Sequence, residues 1–252
     1  MIDILLSGCN GKMGQVITRL TEGMDDLKIA AGYDKFTAVK NNYPVFSDLK
    51  DCKVKIDVMI DFSNPEALDS VLDYAVSRKV PLVLATTGLN QIQQKSVENA
   101  SKQIAVFMTA NMSLGINLLI DLVKKAAKLL EENFDIEIVE KHHNQKLDAP
   151  SGTALTIADE INSALENKCE YIYDRHSRRK KRGKKEIGIH AVRGGTIVGE
   201  HSVIFAGNDE IIEINHTAMS KDVFGIGALR AAKFMSGKEH GIYGMKELIS
   251  DK

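Results

Sequence analysis

The densest group of chemically capable side chains in this sequence lies at residues 142–153. His142 and His143 are adjacent, and Lys146 follows shortly after them. Histidine titrates near neutral pH and can therefore supply a proton under working conditions. A lysine beside it can hold an anionic substrate through its positive charge. The run predicts a proton-donating site for a negatively charged ligand.

The same run ends where the sequence predicts the start of a helix. Ser151 is a favourable N-cap residue, and apolar residues at helical spacing begin at Ala154. The amides of Gly152 and Thr153 would then be available to a carboxylate. Each feature alone is more often a surface histidine pair or an ordinary capped helix. Their convergence in one short run favours a functional site.

A glycine-rich loop near the start of the chain could bind a phosphate. Gly8, Gly11 and Gly14 follow an apolar run and precede a helical pattern. Glycines there let the backbone approach a pyrophosphate, whose charge the helix N-terminus stabilises. The spacing is G-x-x-G-x-x-G rather than the commoner G-x-G-x-x-G, so the loop alone is a weak signal. Its place between the first strand and the first helix strengthens the interpretation.

The acidic residue expected after such a loop is also present. Asp34 ends the second predicted strand, about 20 residues after Gly14, where an acid binds the ribose hydroxyls of a dinucleotide. A solvated strand-end acid is the simpler alternative. Lys35 follows directly and could neutralise a 2′-phosphate that the acid repels. The sequence therefore permits both NADH and NADPH.

The elements that must position these residues divide the chain into two parts. Up to about residue 111, short apolar runs alternate with helical patterns, which is typical of a parallel sheet covered on both faces. Beyond it, one amphipathic helix is followed mainly by strands separated by glycine-containing turns. The predicted helices lie at about 12–22, 65–78, 90–102, 114–132 and most of 222–252, and the later strands at 134–140, 187–193, 196–205 and 210–217.

This pattern predicts an α/β protein with a Rossmann-like dinucleotide-binding domain plus a second α+β domain with a mixed open sheet. We assign residues 1–112 with 223–252 to the first domain and residues 113–222 to the second.

Composition argues against several classes of protein. The 252 residues include 33 Lys and Arg against 34 Asp and Glu, a balance unlike that of a dedicated nucleic-acid binder. No apolar run approaches the ~20 residues that span a bilayer. The three cysteines are widely spaced and suit a reducing compartment, and no metal-ligand spacing is present. We therefore expect a cytoplasmic protein with no metal, membrane or nucleic-acid partner.

One stretch, here called the basic segment, departs from this balance. Residues 175–185 contain eight Lys or Arg, which leaves 25 basic against 34 acidic residues in the rest of the chain. We expect a solvated, mobile loop, with attraction of an anionic substrate or cofactor at low salt as the alternative.

An ordered set of motifs across most of the chain resembles the dihydrodipicolinate reductase (4-hydroxy-tetrahydrodipicolinate reductase) family. The set comprises the glycine loop, Asp61-Phe-Ser63, Ala85-Thr-Thr-Gly88, Thr109-Ala-Asn-Met-Ser-Leu-Gly115, the run from His142 to Thr153, and Arg193-Gly-Gly195 with Gly199-Glu-His201. The resemblance implies NADH- or NADPH-dependent reduction of 4-hydroxy-tetrahydrodipicolinate to tetrahydrodipicolinate in the diaminopimelate route to lysine. Hydride would enter at C4 of this heterocyclic dicarboxylate.

The resemblance also implies roles for individual residues. His142 would be the catalytic acid and Lys146 a second catalytic donor, while His143 and the amides of Gly152 and Thr153 would hold the dicarboxylate. The cofactor would be bound by Gly8, Cys9, Asn10, Gly11, Lys12, Met13, Asp34, Lys35, Ala85, Thr86, Thr87, Thr109, Ala110, Asn111 and Met112. The second domain would bind substrate and form a homotetramer through its sheet, and the domains would close about a hinge.

Two alternatives remain. Another two-domain dehydrogenase, of the homoserine or aspartate-semialdehyde type, shares the architecture without the His-His-x-x-Lys run. A dinucleotide-sensing protein that binds nucleic acid through the basic segment is disfavoured, because the segment lacks aromatic residues and the rest of the chain is acidic. We expect His201 and His216, which fall in predicted strands, to serve packing or an interface.

Overall fold

The computed structural model describes residues 1–251 as two compact units. The first unit comprises residues 1–113 and the chain from Lys221 onward, and the second is Leu114–Ser220. The first contains a parallel sheet and the second a mixed open sheet, so the predicted fold class is confirmed.

Residues 1–251 contain twelve strands and seven α-helices. The strands are β1 (Ile2–Ser7), β2 (Leu27–Tyr33), β3 (Val45–Phe46), β4 (Val58–Asp61), β5 (Leu82–Leu84), β6 (Ala105–Met108), β7 (Asp135–His142), β8 (Glu170–Ile172), β9 (Glu186–Arg193), β10 (Gly199–Ala206), β11 (Ile211–Ala218) and β12 (Gly241–Tyr243). The helices are α1 (Lys12–Thr21), α2 (Leu68–Arg78), α3 (Gln91–Ala100), α4 (Leu114–Leu130), α5 (Gly152–Ala164), α6 (Asp222–Met235) and α7 (Met245–Ser250). None of these helices is both long and apolar enough to cross a membrane.

The sheet of the first unit has seven strands in the order β12-β6-β5-β4-β1-β2-β3, and every neighbouring pair is parallel. Its central strands are apolar along nearly their whole length, and Ile4, Leu5 and Leu6 of β1 are 0 % exposed. Strand order reverses at β1, whose neighbours are β2 on one side and β4 on the other. In such sheets ligands bind at the carboxyl edge of this reversal point.

The C-terminal stretch is mostly helical, as predicted, but it also contains a short strand. Its residues Gly241–Tyr243 form β12, which pairs with β6 at the edge of the first sheet. A three-residue strand is too short to show a period of two in the sequence, so only pairing with β6 defines it.

The sheet of the second unit has the order β11-β10-β7-β9-β8. Strand β7 pairs parallel to β9 and antiparallel to β10, which makes the sheet mixed. Helices α4 and α5 cover one face, where they pack on Ile136, Ile138 and Phe205. Burial alternates along β7, so Glu140 and His142 lie on this same covered face.

Part of the basic segment contacts the opposite face of this sheet, which α4 and α5 leave uncovered. Arg182 donates through Nε to Glu137 at 2.9 Å and through Nη1 to Asp135 at 3.0 Å. Its Nη2 donates to the carbonyls of Ile136 at 3.0 Å and Glu186 at 2.6 Å. The segment is therefore anchored at this end, whereas a solvated, mobile loop was expected.

A second arginine fixes the other end of the segment. Arg175 donates to Glu137 at 2.7 Å and to Glu186 at 2.8 Å. Burial alone would raise the pKa of Glu137, but hydrogen bonds from Arg182 and His190 and the charge of Arg175 lower it. The basic residues that stay exposed are Arg178, Arg179, Lys180, Lys181, Lys184 and Lys185.

This anchoring predicts that the arginines of the basic segment differ in their effect on stability. Arg182→Ala should lower the free energy of unfolding by about 2 kcal/mol or more, because two carboxylates and three carbonyls lose a charged donor. Arg179→Ala, at an exposed position, should change it by less than about 0.5 kcal/mol. Urea unfolding of both variants measures the difference, and equal effects would contradict the anchoring role.

Candidate active site

The glycine loop connects β1 to α1 in the first unit, and its shape requires glycine at two positions. Gly8 has a φ of +74°, and a Cβ there would lie 2.6 Å from the carbonyl oxygen of Phe62. A Cβ on Gly14 would lie 2.2 Å from the carbonyl oxygen of Gly8. Gly11 precedes α1 and has no side chain to cap its first amides. These amides are placed where an anion can bind them.

Asp34 lies directly after β2 and is held by the backbone around it. Its Oδ2 accepts a hydrogen bond from the amide of Asn10 at 3.0 Å, and its Oδ1 accepts one from the amide of Phe36 at 3.0 Å. The side chain of Asn10 in turn donates to the carbonyl of Phe36 and accepts from Asn41 at 2.7 Å. The acid and the glycine loop therefore form one connected structure.

A cavity of about 230 Å³ lies beside Asp34. Four of the predicted cofactor residues, Gly8, Gly11, Asp34 and Lys35, line it together. The other lining residues, which the sequence did not single out as binding residues, are Tyr33, Phe36, Phe62, Ser63, Asn64 and Ala67. A carboxylate, a lysine and aromatic rings around one cavity suit the adenosine end of a dinucleotide.

The two stretches predicted for the nicotinamide end also follow parallel strands. Ala85, Thr86 and Thr87 come after β5, and Thr109, Ala110, Asn111 and Met112 come after β6. Thr86 Oγ1 and Ser63 Oγ each donate to the fully buried Asp61 at 2.6 Å. Because the carboxyl ends of parallel strands share one edge, these stretches lie at the same edge as the glycine loop.

Not every predicted cofactor residue can use its side chain. Cys9 is 0 % exposed, and burial raises the pKa of its thiol to about 12, so its side chain belongs to the core. Met112 is also buried. Both can reach a ligand only through their backbone. Lys12 is exposed and Met13 half-buried at the start of α1.

The first unit therefore fits a dinucleotide cofactor. The loop leaves space that a Cβ would fill, it offers uncapped amides, and it holds an acid beside a cavity. Residues of the loop and the ends of β2, β4, β5 and β6 would hold the cofactor.

In the second unit, a buried carboxylate contacts the predicted proton donor. Glu140 and His142 lie two residues apart on β7 and point to the same face. The Oε2 atom of Glu140 is 2.6 Å from Nδ1 of His142. Glu140 is 0 % exposed and His142 is 8 % exposed. This is a carboxylate–histidine pair shielded from water.

Arg193 and Ser151 keep Glu140 ionised. Arg193 Nη1 donates to Oε2 at 2.8 Å and Nη2 to Oε1 at 2.7 Å, and the Ser151 amide donates to Oε1 at 3.0 Å. Burial alone would raise the pKa of Glu140, but these bonds and that of His142 lower it. An ionised carboxylate only accepts hydrogen bonds, so Nδ1 of His142 carries a hydrogen and Nε2 is left for chemistry.

His201 packs against His142 from β10. The two rings meet edge to face with centroids 5.3 Å apart, and His201 Nε2 lies 3.2 Å from Ser151 Oγ. Burial, reinforced by the charge of His142, lowers the pKa of His201 to about 4. His201 is therefore neutral at pH 7. Its contact agrees with the expected packing role, and the ring that it packs on is that of the proposed acid.

Lys146 lies in the loop after β7, and its Nζ is 2.8 Å from Oδ1 of Asp148. The hydrogen bond from Lys146 lowers the pKa of Asp148, and a further one from the Gly152 amide adds to the effect. The predicted lysine and the first amide of α5 thus share one carboxylate. Their placement shows that this end of the helix can hold a carboxylate group.

Helix α5 begins as the sequence predicts. Ser151 is the N-cap, and its Oγ accepts the amide of Ala154 at 3.2 Å. Gly152 and Thr153 are the first two helical residues, and His143 follows β7 directly and is half-buried. Within residues 1–251, no group of three or more His, Cys, Asp or Glu side chains is arranged to hold a metal ion.

Sequence reasoning did not identify Glu140 and Arg193 as site residues. For Glu140 a signal was available in the sequence, because residues two positions apart on a strand lie on the same face, as Glu140 and His142 do. For Arg193 it was not, because its place depends on the pairing of Arg193 with His142 between β9 and β7. The pairing of His201 with Glu140 across β10 and β7 likewise needs the sheet.

Comparison with known proteins gives a consistent result over both units. Residues 2–112 match the family model described as dihydrodipicolinate reductase, N-terminus, and residues 115–249 match its C-terminus counterpart. The 4-hydroxy-tetrahydrodipicolinate reductase of Caldanaerobacter subterraneus is 57 % identical over 249 residues, covering 99 % of this chain and 98 % of the relative. That of Clostridium tetani is 52 % identical over 250 residues, with coverage of 99 % and 98 %.

A solved structure gives the same fold. The dipicolinate-bound dihydrodipicolinate reductase from Paenisporosarcina superposes with a TM-score of 0.81 at 23 % identity, covering 98 % of this chain and 99 % of the other. The likeness extends over both units.

The low pKa of His201 predicts a pH dependence of stability. Its pKa is about 4 in the folded protein, against 6.5 as the ordinary value. Between these values the unfolded chain binds a proton that the folded protein does not, so this contribution is complete above pH 6.5 and is lost as pH falls toward 4. We expect the wild type to lose about 2 kcal/mol more between pH 7 and pH 5 than His201→Gln.

Urea unfolding at both pH values measures this difference. His176→Gln replaces an exposed histidine and should leave the wild-type pH dependence unchanged. If His201→Gln keeps that dependence as well, His201 is not the titrating group.

Proposed function

The chain belongs to the dihydrodipicolinate reductase family, and on that premise we propose how its residues carry out the family's reaction. It is an oxidoreductase that reduces 4-hydroxy-tetrahydrodipicolinate with NADH or NADPH. The reaction belongs to the diaminopimelate route of lysine biosynthesis.

His142 supplies the proton of the reaction from Nε2. Loss of the 4-hydroxyl group as water gives the unsaturated ring of dihydrodipicolinate. Reduction of this ring adds one hydride at C4 and one proton at the neighbouring carbon, and a bound dihydronicotinamide would supply the hydride. The observation that supports this role is the 2.6 Å contact between Glu140 and Nδ1, which leaves the other nitrogen of the ring for the substrate. A histidine so oriented is suited to general acid catalysis.

Lys146 and the N-terminus of α5 bind the dicarboxylate. Lys146 is within hydrogen-bond distance of one carboxylate already, that of Asp148, and the Gly152 amide contacts the same group. A substrate carboxylate can take the place of the Asp148 side chain, which is 55 % exposed. Thr153 and His143 complete the set, and Lys146 also stabilises charge that develops on the substrate.

The first unit binds the cofactor. Residues 1–112 with 223–252 act as the dinucleotide-binding domain, with the ribose hydroxyls at Asp34 and the pyrophosphate at the glycine loop. The Asp34 carboxylate is acceptor-only and suits the 2′-hydroxyl of NADH, whereas Lys35 beside it adds the charge that a 2′-phosphate needs.

The second unit, residues 113–222, acts as the substrate and tetramerisation domain. Helices α4 and α5 lie on one face of its sheet, and partly exposed apolar residues, Val139 and Ile204, alternate with polar ones on the other. A second copy of the sheet packed on this face would bury them, which supports self-association through the sheet, and the family resemblance implies that the assembly is a homotetramer. The three free cysteines, two of them buried, fit a cytoplasmic location.

The central prediction concerns His142. His142→Ala should lower kcat by roughly 100-fold or more, because the reduced substrate loses its proton donor. Binding of NADH, measured by fluorescence titration, should stay nearly intact because the cofactor residues belong to the first unit. His176→Ala, at an exposed histidine, should retain full turnover. An unchanged kcat in His142→Ala would remove this residue from the role.

Lys35 provides a test of cofactor recognition. Lys35→Ala should raise the KM for NADPH about tenfold while changing that for NADH less than about twofold, since only NADPH carries the 2′-phosphate. Lys40→Ala, another exposed lysine, is the control and should affect neither cofactor. Steady-state kinetics with both cofactors measure the two KM values. An equal rise in KM for NADPH and NADH would show that Lys35 does not bind the 2′-phosphate.

A further inference from the structure

We propose that Glu140 is a positioning residue for the proton transfer. Its carboxylate orients the His142 ring and keeps a hydrogen on Nδ1, so that the proton given to the substrate is the one on Nε2. The inference rests on the proposed role of His142 as the proton donor. It adds to that role a residue that never touches the substrate.

The contact geometry favours this role over simple packing. Both side chains leave β7 on the same face, and Glu140 Oε2 lies 2.6 Å from Nδ1. Such a short distance is typical of a hydrogen bond to a charged acceptor. Glu140 is 0 % exposed, so water does not compete for its oxygens. The imidazole is therefore bound at one nitrogen by a group that can only accept.

Glu140 is itself held on both oxygens. Arg193 binds it in a two-point contact at 2.7 and 2.8 Å, and the Ser151 amide adds a bond at 3.0 Å. The arginine comes from β9 and the amide from the start of α5. Two other elements therefore fix the carboxylate that orients His142. They also keep it charged, which prevents it from donating to Nδ1.

A glycine lies beside the Nε2 side of the ring. A Cβ on Gly199 would lie 3.1 Å from Nε2 of His142, closer than side chains normally approach. Glycine at the start of β10 leaves that space free, and the edge-to-face contact with His201 supports the ring plane. Nδ1 is thus hydrogen-bonded, and Gly199 places no side chain against Nε2, an arrangement that suits proton transfer from Nε2.

Glu140→Gln tests the inference with a readout that does not depend on activity. The introduced amide can donate to Nδ1, so a population of His142 should move its hydrogen to Nε2. Nitrogen-15 NMR of histidine-labelled protein, with His142 assigned by its loss in His142→Asn, reports which ring nitrogen carries the hydrogen. We expect a hydrogen on Nδ1 in the wild type and a shift toward Nε2 in Glu140→Gln.

Kinetics give a second readout. Glu140→Gln should lower kcat by about 100-fold with little change in cofactor affinity, the behaviour expected when an orienting carboxylate is lost. The double variant Glu140→Gln with His142→Asn should be no slower than His142→Asn alone, within about twofold. A carboxylate that acts only on stability would instead lower activity further in the double variant.

A matched control separates positioning from the loss of a buried charge. Glu186 is also a buried carboxylate of the second unit, 6 % exposed, and accepts a hydrogen bond from Arg175 at 2.8 Å. Glu186→Gln should keep wild-type kcat and the wild-type ring signals. If Glu140→Gln does not fold, Glu140→Asp keeps a charge for Arg193 while shortening the reach to Nδ1, and it should show the same drop in kcat.

The outcomes distinguish this inference from the proposed function. If His142→Asn is inactive but Glu140→Gln or Glu140→Asp keeps kcat within about threefold, or if the hydrogen stays on Nδ1, the positioning role is wrong and His142 remains the acid. If His142→Asn retains full turnover, the proposed role of His142 fails, and the inference fails with it.

Discussion

A charged carboxylate buried at the end of β7 is the constraint around which the second unit is organised. Removing such a group from water is costly unless several donors compensate it, and removing a single partner leaves an uncompensated charge. Glu140 meets this condition with donors from its own strand, from β9 and from the start of α5. The ends of these elements must therefore meet at one point, and His142 is held at that point by the same carboxylate.

The two units use different parts of the chain for binding. In the first, most of the binding groups belong to the backbone. The glycines allow a ligand to approach the backbone closely, and the amide of Asn10 in the loop binds Asp34. The amides at the start of α1 are placed to bind a phosphate. In the second, side chains dominate, because the proposed proton donor and the carboxylate proposed to orient it need specific functional groups. A backbone-based site tolerates the unusual glycine spacing, provided that positions 8 and 14 stay free of a Cβ.

The charge distribution has two components with different functions. The nearly equal numbers of basic and acidic residues in the whole chain conceal the basic segment. Within that segment, the structure separates arginines that anchor it from basic residues that stay exposed. Arg175 and Arg182 neutralise Glu137 and neighbouring carboxylates on the uncovered face, so their charge is already used within the unit. The exposed lysines and arginines between and after them are the part that can still act on ligands through solvent.

The sequence by itself determined the fold class, the glycine loop with Asp34, and the run from His142 to Thr153, because each depends on neighbours along the chain: apolar periodicity, turn chemistry and helix capping. Even Glu140 could have been found from the two-residue period of β7.

The sequence could not place Arg193 or His201 beside His142, since residues 50 or more positions apart meet only through strand pairing and register. Nor could it show that Cys9 is core, that two arginines of the basic segment are anchored, or that Gly241–Tyr243 is a strand. Those features depend on burial and long-range hydrogen bonds, which exist only once the chain has folded.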